Sequence, residues 1–411
     1  MSYKTQMPVA EALAILQREA RAVALGTLEL PLTACYGRTL ASNLTAKVAH
    51  PSLDNSALDG YACRAADTAN ASADHPVQLT VTGDVPAGSV FAGEVGIGKA
   101  VSIYTGAPVP AGADAIIRVE ATERSGDTVT LSEPADMGAI RKRGQDFSVG
   151  ADLLKKGMRL DAASVAVAAA MGHANLPVVR KPRVGILATG NEIIEPGKAI
   201  RDGQVYNSNS YGLTGLVRAG GAEAVVLPNV KDDKEVLETA LAETEDLDLL
   251  LTSGGVSMGK YDFVRDLLFE DGEVYFWKVN MKPAGPALFG RWQGLPVLGL
   301  PGNPVSSLVA FIILARAFIQ SALGSSEPLP YHQRQRAITD VPLKSAGFKE
   351  TFIRLVSRQA EDGRVHVTTT GNQNSGVLTS MLYADALALV PPHTAYGVSE
   401  GLEFISLAPY L

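Results

Sequence analysis

Three acidic residues and two lysines carry much of the chemistry this sequence can offer. Glu192, Asp232 and Asp262 stand in separate polar segments that follow apolar runs, and Lys278 and Lys282 stand in another. Hard carboxylate oxygens suit a magnesium ion, which takes one or two protein carboxylates and fills its shell with water and substrate phosphates. The lysines supply positive charge for a phosphate or another oxyanion. In Ser253-Gly254-Gly255-Val256-Ser257, two adjacent glycines let backbone N–H groups approach an anion closely. Thr189-Gly-Asn-Glu192 and Pro301-Gly-Asn303-Pro304 are further polar turns, the second a rigid one with Asn303 placed to cap a helix. Each feature also has a plain structural use: Asp232 and Asp233 fit a helix start, where acidic groups complement the dipole, and the Pro-Gly-Asn-Pro turn needs no ligand. Together they describe a magnesium-assisted site for a phosphate-bearing small molecule such as a nucleotide. No Ser/His/Asp or Cys/His set and no Gly-x-Ser-x-Gly elbow accompanies them.

These loops need a scaffold that brings them together. Val184-Gly-Ile-Leu-Ala188, Ala224-Val-Val-Leu227, Asp248-Leu-Leu-Leu-Thr252, Val274-Tyr-Phe-Trp-Lys278 and Leu298-Gly-Leu300 have the length and apolar content of buried strands. Helices read over Asn209 to Ala219, Lys234 to Glu243 and Val305 to Ala322 alternate with them. That alternation predicts a three-layer α/β domain with a parallel-rich sheet, whose ligands bind outside the carboxyl ends of the strands. The loops at Thr189, Lys231, Ser253, Lys278 and Pro301 are then expected at one edge.

The flanking texture differs. Pro8 to Ala24 reads as a helix that opens the chain, with Pro8 suited to the first turn and Val9, Leu13 and Leu16 on one face. Asp54 to Tyr61 is rich in turn formers and reads as a loop. Val77 to Val81, Ala100 to Tyr104 and Thr128 to Leu131 alternate like strands of a small β domain. Within it, Gly93-x-x-x-x-Gly98-Lys99 imitates a P-loop, but Ala100 replaces the required hydroxyl and a strand pattern follows. Arg141 to Asp146 is a basic turn, and Ala162 to Met171 is helical by propensity. That piece is expected to close back onto the first helix, leaving the β segment as an insertion. After Pro328 and Pro330 come strand-like runs at Arg334 to Val341, Thr351 to Arg358, Val365 to Thr370, Ala386 to Val390 and Leu402 to Leu407. The expected fold class is multidomain α/β plus β: residues 1–45 with 147–180 form a helical domain, 46–146 an inserted β domain, 181–326 the α/β domain, and 327–411 a terminal β-barrel-like domain.

Composition narrows the function. A chain of 411 residues that is 46% apolar can bury several cores. A formal charge of -7 and a pI near 5.5 give no footprint for nucleic acid, while leaving room for a local basic pocket. Only Cys35 and Cys63 are present, which suits a reducing compartment, and the six histidines show no metal-ligand spacing. The apolar stretch Val165 to Met171 falls far short of the ~20 residues that span a bilayer. A soluble cytoplasmic protein is expected.

Seven stretches in chain order carry a more specific signal: Asp54-Asn-Ser-Ala-Leu-Asp59-Gly-Tyr-Ala62, Thr105-Gly-Ala-Pro-Val-Pro110, Arg141-Lys-Arg-Gly-Gln-Asp146, Thr189-Gly-Asn-Glu192, Ser253-Gly-Gly-Val-Ser257, Lys282-Pro283 and Pro301-Gly-Asn-Pro304. Singly they are weak. As a set covering nearly the whole chain, they resemble the molybdopterin molybdenumtransferase family, which is related to the C-terminal part of gephyrin. The resemblance implies that adenylylated molybdopterin and molybdate give molybdenum cofactor and AMP, with Mg2+. It also implies a homodimer, held through the helical domain, whose cleft combines the α/β domain of one subunit with the inserted β domain of the other. On that footing Glu192, Asp232 and Asp262 handle the metal and pyrophosphate, Lys278 and Lys282 hold anionic substrate, and Thr189, Ser253, Gly254, Gly255, Ser257, Pro301, Asn303 and Pro304 line the substrate site. Asp59, Thr105 and Asp146 come from the partner subunit. Two departures stand out: Lys282-Pro-Ala-Gly-Pro286, where the family often reads Lys-Pro-Gly-x-Pro, and Leu58 for a frequent Met. The adenylyltransferase of the preceding step is implied as a protein partner. Its own reaction, a gephyrin-like scaffold and a tungstate-using variant are the competing readings.

Overall fold

A computed structural model describes residues 4–230, 239, 246–256 and 263–408. The centre is a seven-stranded sheet ordered Lys4–Met7, Gly272–Val279, Leu288–Trp292, Leu295–Leu300, Leu249–Ser253, Arg183–Ala188, Glu223–Val226. Leu288–Trp292 alone runs against its neighbours, and the other strands point the same way. The apolar run Leu249-Leu250-Leu251 is fully buried, as expected of a strand covered on both faces. One core face gathers Val184, Leu249, Leu298 and Phe311, while the other gathers Leu187, Leu250, Val297 and Leu268.

Register decides where the loops leave. Ser253 pairs with Ala188 on one side and with Leu300 on the other, so the turns that begin at Thr189, Gly254 and Pro301 rise from one level on three adjacent strands. The Asn209–Ala219 helix follows the first of these turns, and Pro304–Ala310 opens the helix behind the third. That last helix continues through a π-helical segment, Phe311–Ala315, to Ala322. It is long and apolar enough to cross a membrane, but 83% of it is buried inside the protein.

The amino-terminal expectation is corrected in three ways. A strand, Lys4–Met7, precedes the helix, which spans Val9–Arg21 with Pro8 just outside its first turn. Its apolar face, Val9, Leu13 and Leu16, packs into the α/β core beside Phe311 and Phe318 rather than against the second helical piece. The closure around the insertion is made instead by strands, Thr27–Pro31 pairing antiparallel with Asn175–Val179. The Ala162–Ala170 helix packs beneath that pair in a core with Leu40, Leu160 and Val178. Partners so distant in sequence leave no local periodicity to read.

The inserted portion contains a six-stranded sheet ordered Ala115–Arg118, Gly60–Cys63, Lys99–Ile103, Val77–Val85, Thr128–Leu131, Thr122–Ser125. Lys99 opens a strand, so the P-loop imitation is only a turn. Toward the carboxyl end, Glu350–Gln359, Val365–Thr369, Arg334–Thr339, Gly401–Ser406 and Ala386–Val390 pair in sequence, and the last pairs back with the first to close a five-stranded barrel. Met281–Lys282 adds itself parallel to the start of Glu350–Gln359. This tie places the barrel beside the carboxyl edge of the central sheet.

Candidate functional site

A cleft of about 720 Å³ opens over that edge, lined by Thr189, Glu192, Asn207, Asn209, Ser253, Gly254, Gly255, Pro301, Asn303 and Pro304 among others. Gly254 and Gly255 have φ of 103° and 70°, and a Cβ on Gly254 would lie 3.0 Å from the Thr189 carbonyl oxygen. The turn therefore requires glycine both for its left-handed backbone and for its approach to the neighbouring loop. Asn209, at the start of its helix, joins the turns: its Nδ2 donates to Ser253 Oγ at 2.7 Å and to the Gly302 carbonyl at 2.8 Å. Thr189 Oγ1 and Asn209 Oδ1 are buried here without a hydrogen-bond partner. Orphaned polar atoms clustered in a cleft are what a polar ligand satisfies. Glu192 stands exposed at the rim, with its carboxylate turned back beside Gly190.

A second cleft of about 800 Å³ adjoins the first and shares Pro286, Pro301 and Asn303 with it. Its walls carry Lys282, Lys344, Lys349 and Arg354, and among the described residues no Asp or Glu lines it. Arg354 is only 1% exposed. Its guanidinium donates to Ser380 Oγ at 3.1 Å and to the carbonyls of Asn372 and Asn374 at 3.3 and 3.2 Å. Burial among neutral partners pulls its pKa down to about 10, which still leaves a full positive charge at neutral pH. A cation held dry and served only by neutral groups favours an anion. Asn303 does not cap the helix with its side chain as expected; it donates instead to Ser375 Oγ at 3.1 Å, across the wall between the clefts.

The other sequence-derived candidates divide. Lys282 lines the basic cleft, while Lys278 lines neither and lays its Nζ over the Trp277 ring, 4.4 Å from the centroid. Asp59 accepts both the amide and the hydroxyl of Thr105 at 2.7 Å, and those bonds hold its carboxyl below the usual carboxylate range. Asp146 lines a separate cavity of about 530 Å³ with His50, Asn55, Arg141 and Gln145. Asp54 links the inserted motifs: it accepts from Lys142 Nζ at 3.0 Å and from the Arg143 amide at 2.7 Å, while its carbonyl receives the Val109 amide. Thus the Asp54–Ala62, Thr105–Pro110 and Arg141–Asp146 stretches converge, but on this chain Asp59, Thr105 and Asp146 line neither cleft. Lys231, Asp232, Ser257 and Asp262 lie outside the described residues. Among the described residues, no group of three or more His, Cys, Asp or Glu side chains is placed to hold a metal.

The sequence reading missed Asn207, Asn209, Lys344, Lys349 and Arg354. Arg354 had a signal: a lone charge inside the apolar run Phe352-Ile353-Arg354-Leu355 must be bonded if the strand is buried.

Fold and site define a multidomain α/β enzyme whose two adjoining clefts, one rich in glycine turns and one basic, lie at the carboxyl edge of a largely parallel sheet. The comparisons are specific. Residues 7–172 match a family described as MoeA N-terminal region (domain I and II), 185–321 one described as Probable molybdopterin binding domain, and 336–407 one described as MoeA C-terminal region (domain IV). The molybdopterin molybdenumtransferase 2 of Mycobacterium tuberculosis (strain ATCC 25618 / H37Rv) is 40% identical over 337 residues, covering 80% of this chain and 83% of its own. The molybdopterin molybdenumtransferase of Haemophilus influenzae is 34% identical over 385 residues, 93% of each chain. Among solved structures, the molybdopterin biosynthesis moeA protein of Pyrococcus horikoshii OT3 superimposes with a TM-score of 0.81 at 31% identity, covering 97% of this chain and 99% of its own. The chain belongs to the molybdopterin molybdenumtransferase family, a family of transferases.

Proposed function

We propose that this protein takes adenylylated molybdopterin and molybdate to molybdenum cofactor and AMP. The observation that carries the reading is the junction of the two clefts at Pro286, Pro301 and Asn303. The glycine-turn cleft, with Thr189, Asn209, Ser253, Gly254 and Gly255, suits the nucleotide and pyrophosphate arm. The basic cleft, with Lys282 and Arg354, suits the oxyanion. An oxyanion displacing a nucleotide needs charge neutralisation and positioning more than a protein nucleophile, in keeping with a site that offers lysines, an arginine and backbone amides.

Mg2+ fits the donor set by chemistry: Glu192 offers hard oxygens at the rim of the phosphate cleft, and Thr189 Oγ1 is an unpartnered oxygen nearby. Glu192, with Asp232 and Asp262, is the proposed ligand set, and the ion would neutralise pyrophosphate charge when bound. Ser257 is a proposed substrate-binding residue, Pro304 extends the substrate wall, and Lys278 backs the site through the strand it shares with Trp277.

Asp59, Thr105 and Asp146 act across a homodimer, which gives the converging inserted motifs a role that they lack within one chain. The cytoplasm is the proposed compartment, consistent with Cys35 and Cys63 both being free and buried, and the molybdopterin adenylyltransferase is the proposed supplier of substrate. Mixing subunits tests the shared site. Asp59→Asn and Glu192→Gln each abolish AMP release alone, and equal mixing with exchange restores about a quarter of wild-type activity, because half the dimers then keep one intact site. Mixtures that stay inactive contradict a site built from both subunits.

A further inference from the structure

Behind the glycine-turn cleft lies a carboxylate to which neither the sequence reading nor the site described above gives a part. Glu195 Oε1 accepts from Asn207 Nδ2 at 2.9 Å and from Asn229 Nδ2 at 3.0 Å, and Glu195 Oε2 accepts from the Tyr211 hydroxyl at 3.0 Å. The two amides also bond each other, Asn207 Nδ2 to Asn229 Oδ1 at 3.1 Å. The orientation of the Asn207 amide is fixed from outside, since Asn207 Oδ1 accepts the Ser210 amide at 3.1 Å. These donors belong to three segments: the turn before the Asn209–Ala219 helix, the helix itself, and the segment after the Glu223–Val226 strand. The last segment runs against the Thr189 loop, where the Val230 amide donates to the Ala188 carbonyl and the Gly190 amide to the Val230 carbonyl. Asn207 is only 4% exposed and lines the glycine-turn cleft, whereas Glu195 lines neither cleft.

We infer that Glu195 is a positioning residue: through Asn207 and Asn229 it fixes the walls of the glycine-turn cleft, and so sets affinity for the nucleotide-bearing substrate and not for the oxyanion. One side chain bonded to three segments at once leaves each with little freedom. The Tyr211 phenol reports the same contact, because its bond to Glu195 raises its pKa.

The inference rests on the proposed function, so wild-type AMP release with and without molybdate is measured first; its absence overturns that reading and the substrate assignment with it. Given that activity, Glu195→Ala is expected to raise KM for adenylylated molybdopterin about tenfold while the KM for molybdate stays within about twofold. Glu195→Gln keeps Oε1 for both asparagines and lets the Tyr211 hydroxyl accept at the other side, so it restores most of the wild-type KM. Tyr211→Phe, which removes one exposed bond, raises the same KM by about twofold. In Glu195→Ala the Tyr211 phenol titrates at lower pH than in the wild type by ultraviolet absorbance. Equal rises in both KM values, or a fall in kcat alone, indicate a general structural role and overturn the inference. A Glu195→Gln variant as impaired as Glu195→Ala also overturns it, since that makes the charge itself the functional group.

Discussion

Asn303 donates its side-chain amide to Ser375 Oγ at 3.1 Å, and Ser375 in turn gives its carbonyl to the Val305 amide. The turn ahead of the buried helix is thereby fastened to a loop of the barrel, at the wall shared by the two clefts. Replacing Asn303 by Ala is expected to cost about 1 kcal/mol of unfolding free energy. Because the wall serves both clefts, KM should rise for both substrates. Steady-state kinetics with each substrate varied in turn, alongside denaturant unfolding, check this.

Arg354 places a dry positive charge in a cleft that, among the described residues, no carboxylate lines. Arg354→Met should raise the KM for molybdate by about tenfold or more, with little change for the nucleotide-bearing substrate. Arg354→Lys keeps the charge but cannot reach Ser380, Asn372 and Asn374 together, so it should recover only part of the loss. Equal KM values for wild type and Arg354→Met would remove the oxyanion from this cleft.

Gly254 tests the backbone. A methyl group there meets both the left-handed φ of 103° and the Thr189 carbonyl oxygen at 3.0 Å. Roughly 1–3 kcal/mol of strain follows. Gly254→Ala should lower kcat/KM by about tenfold or more, with far-ultraviolet circular dichroism unchanged.

On the barrel, His366 Nδ1 lies 2.8 Å from Asp340 Oδ1 and Nε2 lies 3.3 Å from Asp362 Oδ2. The bond to Asp340 raises the imidazole pKa above 6.5, with Asp362 adding to it, so the folded state holds the proton more tightly than the unfolded state does. The stabilisation is complete below the unfolded value and fades as pH rises through the folded one. Wild type should therefore exceed His366→Gln in melting temperature by more at pH 5.5 than at pH 8.5, as differential scanning calorimetry over this range will show.

Local patterns carried much of the architecture. The Asn209–Ala219 helix and the Ala386–Val390 strand have the limits that the pattern gives, because Leu213, Leu216 and Val217 recur at helical spacing ahead of Gly220-Gly221, and the strand is an unbroken apolar run between Asp385 and Pro391. What stayed hidden depends on distant partners. Thr27–Pro31 is mostly exposed on its own and becomes a strand by pairing with Asn175–Val179. Thr189, Ser253 and Pro301 were recognisable because strands of similar type deliver them to one edge. Arg354 and Glu195 were not placed, since their worth lies in what the fold sets around them: a cleft shared with three lysines for the one, two asparagines and a tyrosine for the other.

The most direct measurement of the central claim is AMP release from adenylylated molybdopterin by the purified wild-type protein with magnesium, followed with and without molybdate. Release that requires molybdate, and that Arg354→Met shifts to higher molybdate concentration, is the predicted result. AMP release indifferent to molybdate, or adenylyl transfer to free molybdopterin when ATP is supplied, contradicts it.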